Sequence, residues 1–395
     1  MNFANRIHTL RPSAIRAAGK LIRSKENCIS FAAGLPSSAL MPINEIREVT
    51  DRLLSEKGAV ALQYGATKGY DPLLDEICKI MAKRHVHCKK EEIQITTGSQ
   101  QGIFLTAMTF LNPGDTVITE KPTYLGALSS YTPFECNFRG VDADNEGMLI
   151  DELEKALEEE KNVKFVYAVP NFSNPTGKTW SVDRRKKLVQ LANKYDIMII
   201  EDNPYGEIRF SGEHVPTIKS FDTEDRVIYL GSFSKILFPG LRVGFSISNT
   251  AIANHFEVLK QGIDLQSNQF AQAQIAEYLK AYNLDEQIEQ IVKVYGKKKD
   301  MMLEIIKEKF PKSIKHTNPE GGMFIWLDLP KGVDATKLLE KSIEEISVGF
   351  VPGGSFFTEP GYENTIRLNF STVDEEEIIE GMNRLADFLT KELEK

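Results

Sequence analysis

The stretch Val227-Ile228-Tyr229-Leu230-Gly231-Ser232-Phe233-Ser234-Lys235, with Phe238-Pro239-Gly240-Leu241-Arg242 close behind it, decides how the chain is read. Four apolar residues make a buried strand, and the lysine stands at its mouth among small and hydroxylated neighbours. Desolvation and the nearby Arg242 lower the pKa of such a lysine and favour the free amine that imine chemistry needs. Ser232 and the bidentate fork of Arg242 suit a phosphate. An imine-forming lysine beside a phosphate cradle points to pyridoxal phosphate (PLP).

Working outward, short β-branched runs recur at Ile93-Gln94-Ile95-Thr96, Thr116-Val117-Ile118-Thr119, Phe165-Val166-Tyr167-Ala168-Val169, Ile197-Met198-Ile199-Ile200 and Val243-Gly244-Phe245-Ser246-Ile247. They are mostly apolar on both faces, as buried strands of a mainly parallel sheet are. Helical patterns lie between them, over Ser99 to Leu111, Asp151 to Lys161 and Val182 to Tyr195. Alternating strands and helices imply an α/β core. A long charged amphipathic helix, Leu284 to Phe310, leads to a smaller unit with strands at Met323 to Leu327 and Thr365 to Leu368. Its last helix is expected to open on a capping box, Thr372-Val373-Asp374-Glu375. The expected division is an N-terminal segment, 1–44, packing with the smaller unit; a large cofactor-binding domain, 45–285; and a small α+β domain, 286–395.

The residues able to do chemistry gather after the strands, one group per strand. Ligands of an open parallel sheet bind outside the carboxyl ends of its strands, so these groups are expected to converge on one crevice. Thr97-Gly98-Ser99-Gln100 opens a helix whose free N–H groups suit an anion, although Ser99 also reads as an ordinary N-cap. Tyr124 can stack on a flat ring or simply pack. Asn174, in Asn174-Pro175-Thr176-Gly177, can aim its amide at a ligand oxygen or belong to a plain turn. Asp202 ends an apolar strand and needs a partner; a ring N–H is one, and Tyr205 can donate to a ring oxygen. Arg367, on the apolar strand Ile366-Arg367-Leu368, suits a carboxylate as well as a structural ion pair.

Composition sets outer limits. The chain has 395 residues, 42% hydrophobic and 26% charged, with a net charge of −8 and no basic block, which argues against nucleic acid as a partner. No run approaches the about 18 apolar residues of a membrane span, and the N-terminus lacks a signal pattern, so a cytoplasmic location is expected. Four cysteines without paired spacing read as reduced thiols. His85-Val86-His87-Cys88 has no second cluster to complete a zinc set, so no metal is expected. Gly177-Lys178-Thr179 mimics the end of a P-loop, but Phe172 stands where its leading glycine belongs.

Taken in order, these residues resemble the class I/II aminotransferases of PLP fold type I, and especially the branch that holds 2-aminoadipate and kynurenine aminotransferases. The resemblance runs from Phe31-Ala32-Ala33-Gly34-Leu35-Pro36 to Arg367-Leu368-Asn369-Phe370-Ser371. It implies catalytic roles for Lys235, Asp202 and Tyr205, with Lys235 as Schiff-base lysine and proton shuttle and Asp202 on the pyridine nitrogen. Asn174 and Tyr205 would meet the ring hydroxyl, and Tyr124 would stack on the ring. Ser99, Gln100, Ser232 and Arg242 would bind phosphate, joined by Tyr64 from a neighbouring subunit in a homodimer with shared sites. Arg367, Asn174 and Gly34 would bind substrate. Ser13-Ala14-Ile15-Arg16 resembles a segment that closes over the substrate, where Arg16 would meet a side-chain carboxylate. Gly206 departs from the pattern, since relatives often carry a second aromatic there.

The implied activity is ping-pong transfer of an α-amino group from a 2-aminoadipate/glutamate, aromatic or branched-chain donor to a 2-oxo acid such as 2-oxoglutarate. Elimination or decarboxylation by the same cofactor stays open. A DNA-binding regulator built on this fold would need a helix-turn-helix module before Ala33, and the preceding segment is too short for one.

Overall fold

Helix α1 (Ala14–Arg23) and the two-residue strand β1 (Ile29–Ser30) come first in the chain, followed by helices α2 (Ile43–Ala61) and α3 (Asp71–Ala82). The computed structural model describes residues 1–8, 10 and 14–394. Strands and helices then alternate through β2 (Ile93–Thr96), α4 (Ser99–Phe110), β3 (Thr116–Lys121), α5 (Leu125–Tyr131), β4 (Asn137–Asp144), β5 (Gly147–Met148) and α6 (Ile150–Glu159). They continue through β6 (Val163–Ala168), α7 (Val182–Tyr195), β7 (Met198–Asp202), β8 (Val227–Ser232) and β9 (Gly244–Ile247).

β2 to β9 form one eight-stranded sheet in the order β2-β9-β8-β7-β6-β3-β4-β5. The pairs β3–β4, β3–β6, β6–β7 and β7–β8 are parallel, while β9 runs antiparallel to both β8 and β2. That reversal matters for the site. It pairs Ser232 with Gly244, so the start of β9, and with it Arg242, lies at the edge where β2, β3, β6, β7 and β8 end.

Side-chain parity gives the sheet its two apolar faces. Phe165, Tyr167, Met198 and Ile200 enter one cluster, and Val166, Ala168, Ile197 and Ile199 enter the other. The apolar runs read from the sequence are therefore strands buried on both sides. β4 escaped that reading because it sits near the sheet edge and buries only Gly140 and Val141, with polar Asn137, Arg139, Asp142 and Asp144 along it.

After α8 (Thr250–Ile263) and α9 (Gln269–Ala281), the 26-residue helix α10 (Leu284–Lys309) leads into the C-terminal elements. These are β10 (Lys315–His316), β11 (Phe324–Asp328), α11 (Ala335–Ile346), β12 (Val348–Gly349), β13 (Val351–Pro352), β14 (Thr365–Asn369) and α12 (Glu375–Leu393). β10, β11, β14 and β13 make an antiparallel sheet, and α10 and α11 pack on α12. β1 pairs in parallel with β12, Ile29 opposite Val348, and α1 packs on α11, β12 and β13. The N-terminal segment is thus built into the C-terminal elements.

The capping box of α12 needs correction. The cap is Asp374, not Thr372: Asp374 accepts the Glu377 N–H at 2.8 Å and Glu377 accepts the Asp374 N–H at 2.9 Å. Thr372 instead donates to Asn369 Oδ1 at 3.2 Å, closing the turn before the helix. Asp374→Ala is expected to lower the unfolding free energy by ~1 kcal/mol, and Thr372→Ala by less than about half of that, read as shifts of the urea midpoint.

Candidate active site

At the carboxyl edge of the large sheet lies a cavity of about 630 Å³ whose wall includes Ser99, Tyr124, Asp202, Tyr205, Lys235 and Arg242. The sequence separates these residues by as many as 143 positions (242 − 99), and the strand ends bring them together.

Asp202 and its neighbour Glu201 show how parity sorts the groups at the end of β7. Glu201 points to one face and accepts the N–H groups of Ile218 and Lys219, each at 2.8 Å. Asp202 points to the other face, where Oδ2 accepts the Tyr167 hydroxyl at 2.7 Å. Its Oδ1 is buried and has no partner among the described residues. Burial pushes the carboxyl up to about 6, with the Tyr167 hydrogen bond acting against that rise. Tyr167 is a functional neighbour that the sequence reading passed over as strand. Its signal was parity: on paired strands Tyr167 faces the same side as Ile200, and therefore as Asp202.

Lys235 stands on the cavity wall with Nζ 2.8 Å from the Gly34 carbonyl oxygen. Burial, the Arg367 guanidinium and the Arg242 guanidinium together bring its pKa down to about 8. The sequence named burial and Arg242 as causes and missed Arg367. Gly34 meets the site through this carbonyl; it lines an adjoining cavity of about 500 Å³ beneath α1, and Arg16 lines both cavities.

The turn before α4 is shaped around Arg242. Gly98 has φ +74°, and a Cβ there would lie 2.3 Å from Arg242 Nη2; one on Gly244 would lie 2.6 Å from Ser99 N. Gly98 calls for glycine through its positive φ, and Gly244 because the main chain of Gly98 and Ser99 approaches it so closely. Arg242 donates from Nη1 to Pro239 O at 3.1 Å and to Ser234 Oγ at 3.4 Å, and from Nη2 to Thr97 O at 3.4 Å. Ser232 Oγ accepts the Ser234 N–H at 3.1 Å. Ser234, unremarked in the sequence, is thus part of this corner. The first N–H groups of α4 have no acceptor within the helix and are open to an anion.

Gln100 does something other than expected. Its amide donates to Gly126 O at 2.9 Å and Ser130 Oγ at 2.7 Å while its Oε1 accepts the Tyr124 hydroxyl at 3.1 Å. The side chain therefore orients Tyr124, and only the main chain of Gln100 remains for an anion.

Arg367 lies on β14, fully buried, with its guanidinium 4.3 Å from the Phe324 ring centre and 5.3 Å from that of Phe356. It donates from Nη1 to Asn174 Oδ1 at 2.8 Å and from Nη2 to Ala32 O at 2.7 Å, and its Nε has no partner. Burial lowers its pKa to about 10. Asn174 Nδ2 stands 3.5 Å from the Tyr205 hydroxyl, at the limit of a hydrogen bond. Tyr64 is not in the cavity. It lies after α2, 77% exposed. Ser13 is outside the described residues.

The model of the family "Aminotransferase class I and II" matches residues 26–385. The chain belongs to the class I and II aminotransferases. It is similar to aromatic-amino-acid aminotransferase 1 of Thermococcus litoralis, 43% identical over 100% of this chain and 95% of that protein. It is similar, too, to the 2-aminoadipate transaminase of Thermus thermophilus, 39% identical over 95% and 93% of the two chains. The solved structure of Pyrococcus horikoshii kynurenine aminotransferase, crystallised with pyridoxamine phosphate, is 42% identical, with a TM-score of 0.95 over 99% of this chain and 97% of that one. As an aminotransferase of this family the protein is PLP-dependent and transfers an amino group from an amino acid to a 2-oxo acid.

Two outcomes are expected from these surroundings. Because the folded-state pKa of Lys235 lies near 8, below an ordinary lysine at 10.5, the unfolded chain binds the extra proton between those values. The cofactor-free fold is then expected to gain stability as pH rises through that window, and its rate of PLP uptake to rise with a midpoint near pH 8, both followed by stopped-flow absorbance and denaturant titration. Tyr167→Phe removes the hydrogen bond that stabilises ionised Asp202, and kcat/KM is expected to fall by about tenfold with the protein still folded.

Proposed function

We propose that Lys235, Asp202 and Tyr205 carry out the transamination in this cavity. One observation carries the reading: the side chains of Lys235, whose amine feels two guanidinium charges, and Asp202, which has a buried carboxylate oxygen without a partner among the described residues, line the same cavity.

The residues fit PLP. The unpartnered Asp202 Oδ1 suits a ring N–H, and Tyr124, held by Gln100, offers a face for the ring. The N–H groups of Ser99 and Gln100, with Ser232 and Arg242, suit the phosphate. When bound, PLP supplies an aldehyde that condenses with amines and a protonated ring that draws electrons from the substrate α-carbon. Asp202 keeps that ring protonated through Oδ1, and Tyr167 keeps Asp202 ionised. Tyr205 and Asn174 serve the ring oxygen. Arg367, with Asn174 and the neighbourhood of Gly34, takes the substrate carboxylate, and its apolar cover of Phe324 and Phe356 excludes water from that ion pair. Nζ of Lys235, at its lowered pKa, would take the proton from the substrate α-carbon and deliver it to the cofactor carbon that bears the aldehyde, the proton shift that amino transfer requires.

The donor range proposed is broad, spanning 2-aminoadipate, glutamate, aromatic and branched-chain amino acids, with 2-oxoglutarate as acceptor. The names of the relatives support the aromatic and 2-aminoadipate parts. The place of Arg16 on the cavity wall supports recognition of a side-chain carboxylate. We further propose a homodimer in which Tyr64 reaches the neighbour's phosphate. Its support is the exposure of Tyr64 together with Leu54, Val60 and Leu62 on the same stretch. A cytoplasmic location is proposed as well: among the described residues no helix is long and apolar enough to cross a membrane, and the four cysteines are free. The division at 44/45 and 285/286 is proposed as the domain boundary.

Lys235→Ala is expected to abolish both the visible absorption of the PLP-loaded protein and its turnover; retention of both removes Lys235 from the mechanism. In a donor panel, Arg16→Met is expected to lower kcat/KM for 2-aminoadipate and glutamate by about tenfold while leucine stays within about twofold. If leucine and phenylalanine match the acidic donors in the unaltered enzyme, Arg16 has no such role.

A further inference from the structure

Behind the turn that opens α4, the protein buries a lysine that no role above uses. Lys260, on α8, is 0% exposed. Its Nζ donates to Asp264 Oδ1, Asp264 Oδ2 and Gln101 Oε1, each at 2.8 Å. An ammonium has three N–H groups, so every donor has its acceptor and the head has one orientation. Asp264 is exposed to solvent, and an ion pair open to water adds little stability. What this one does provide is position.

The same acceptors grip the turn. Gln101 Oε1 also takes the Thr97 N–H at 2.7 Å, and Gln101 Nε2 donates to Asp264 Oδ2 at 2.8 Å. Thr97 Oγ1 donates to that Asp264 oxygen at 3.1 Å and lies 3.1 Å from Ser267 Oγ. From the cavity side Arg242 Nη2 reaches Thr97 O at 3.4 Å. Thr97 is therefore held on both sides, and it is the residue from which Gly98 turns the chain into the first N–H groups of α4.

We propose that Lys260 is a positioning residue for phosphate binding: through Gln101 and Asp264 it fixes Thr97, and so the direction of the Ser99 and Gln100 N–H groups. The inference rests on the reading that this turn and Arg242 hold the cofactor phosphate, and it assigns Lys260 no contact with the cofactor.

The test compares PLP with pyridoxal, which has the same ring and aldehyde but no phosphate. Full-length protein freed of cofactor is titrated with each by fluorescence quenching. Lys260→Met is expected to weaken PLP binding by about tenfold and to leave pyridoxal binding within about twofold. Gln101→Met cuts the link to the Thr97 N–H, the one that sets the main chain, while keeping the Lys260–Asp264 pair and its contact with the Thr97 hydroxyl, and the same selective loss is expected; it decides the matter if Lys260→Met does not fold. Equal losses for the two ligands, or PLP binding unchanged in Gln101→Met, overturn the proposal. Arg242→Met separates the two levels. If it shows no selective loss, the phosphate assignment itself fails; if it does and Gln101→Met does not, only the role of Lys260 fails.

Discussion

A charge taken out of water must find a partner, and the end of β7 meets that demand for one carboxylate and leaves it half met for the next. Glu201 and Asp202 are neighbours in sequence and both are buried, yet their situations differ by a single step of strand parity. Glu201 accepts two main-chain N–H groups and is complete. Asp202, on the cavity wall, receives one hydroxyl and keeps one buried oxygen without a partner among the described residues. Arg367 is likewise bonded through both Nη atoms and unpartnered at Nε. Such incomplete groups cost folding energy, and they persist where a ligand completes them.

The sheet's direction decides which residues share that edge. Six strands, β2, β3, β4, β6, β7 and β8, end there because they run in the same sense, and β9 starts there because it runs in the opposite one. Had β9 been parallel, Arg242 would precede it at the far edge, a strand length from the turn at Gly98. The close approach of Gly98 and Gly244 to Arg242 and Ser99 is the steric trace of this reversal. Loop residues alone do not bring Ser99, Gly98 and Arg242 to one corner; an antiparallel pair inside a parallel sheet does.

Much of this was legible in the sequence, for a physical reason. Strands buried on both faces are apolar throughout, so a polar residue at their ends stands out, and Ser99, Asp202, Ser232 and Lys235 were visible that way. What stayed hidden depended on pairing across the chain. Tyr167 lies inside an apolar run, and only its register with β7 sets it beside Asp202. Gln100 has the right type for an anion site, but its side chain is claimed by Ser130, Gly126 and Tyr124 from α5 and its approach. The cap of α12 was misplaced because two residues, Thr372 and Asp374, both suit an N-cap, and the side-chain bond of Thr372 to Asn369 settles the choice. Lys260 drew no notice, since nothing in its helix says that its head points inward.

The N-terminal segment ties these parts together. Ala32 O accepts from Arg367 and Gly34 O accepts from Lys235, so two main-chain carbonyls two residues apart hold the two basic side chains that meet substrate in the proposed mechanism. The same segment is anchored behind by the pairing of β1 with β12 and by the Phe31 N–H on Gly349 O at 2.8 Å. A carboxylate that binds Arg367, or a cofactor that binds Lys235, competes with these carbonyls for the same N–H groups. Ligand binding and the seating of residues 32–34 therefore share one set of hydrogen bonds, and α1, packed on the same C-terminal elements and carrying Arg16 to the cavity wall, is placed to respond to that exchange.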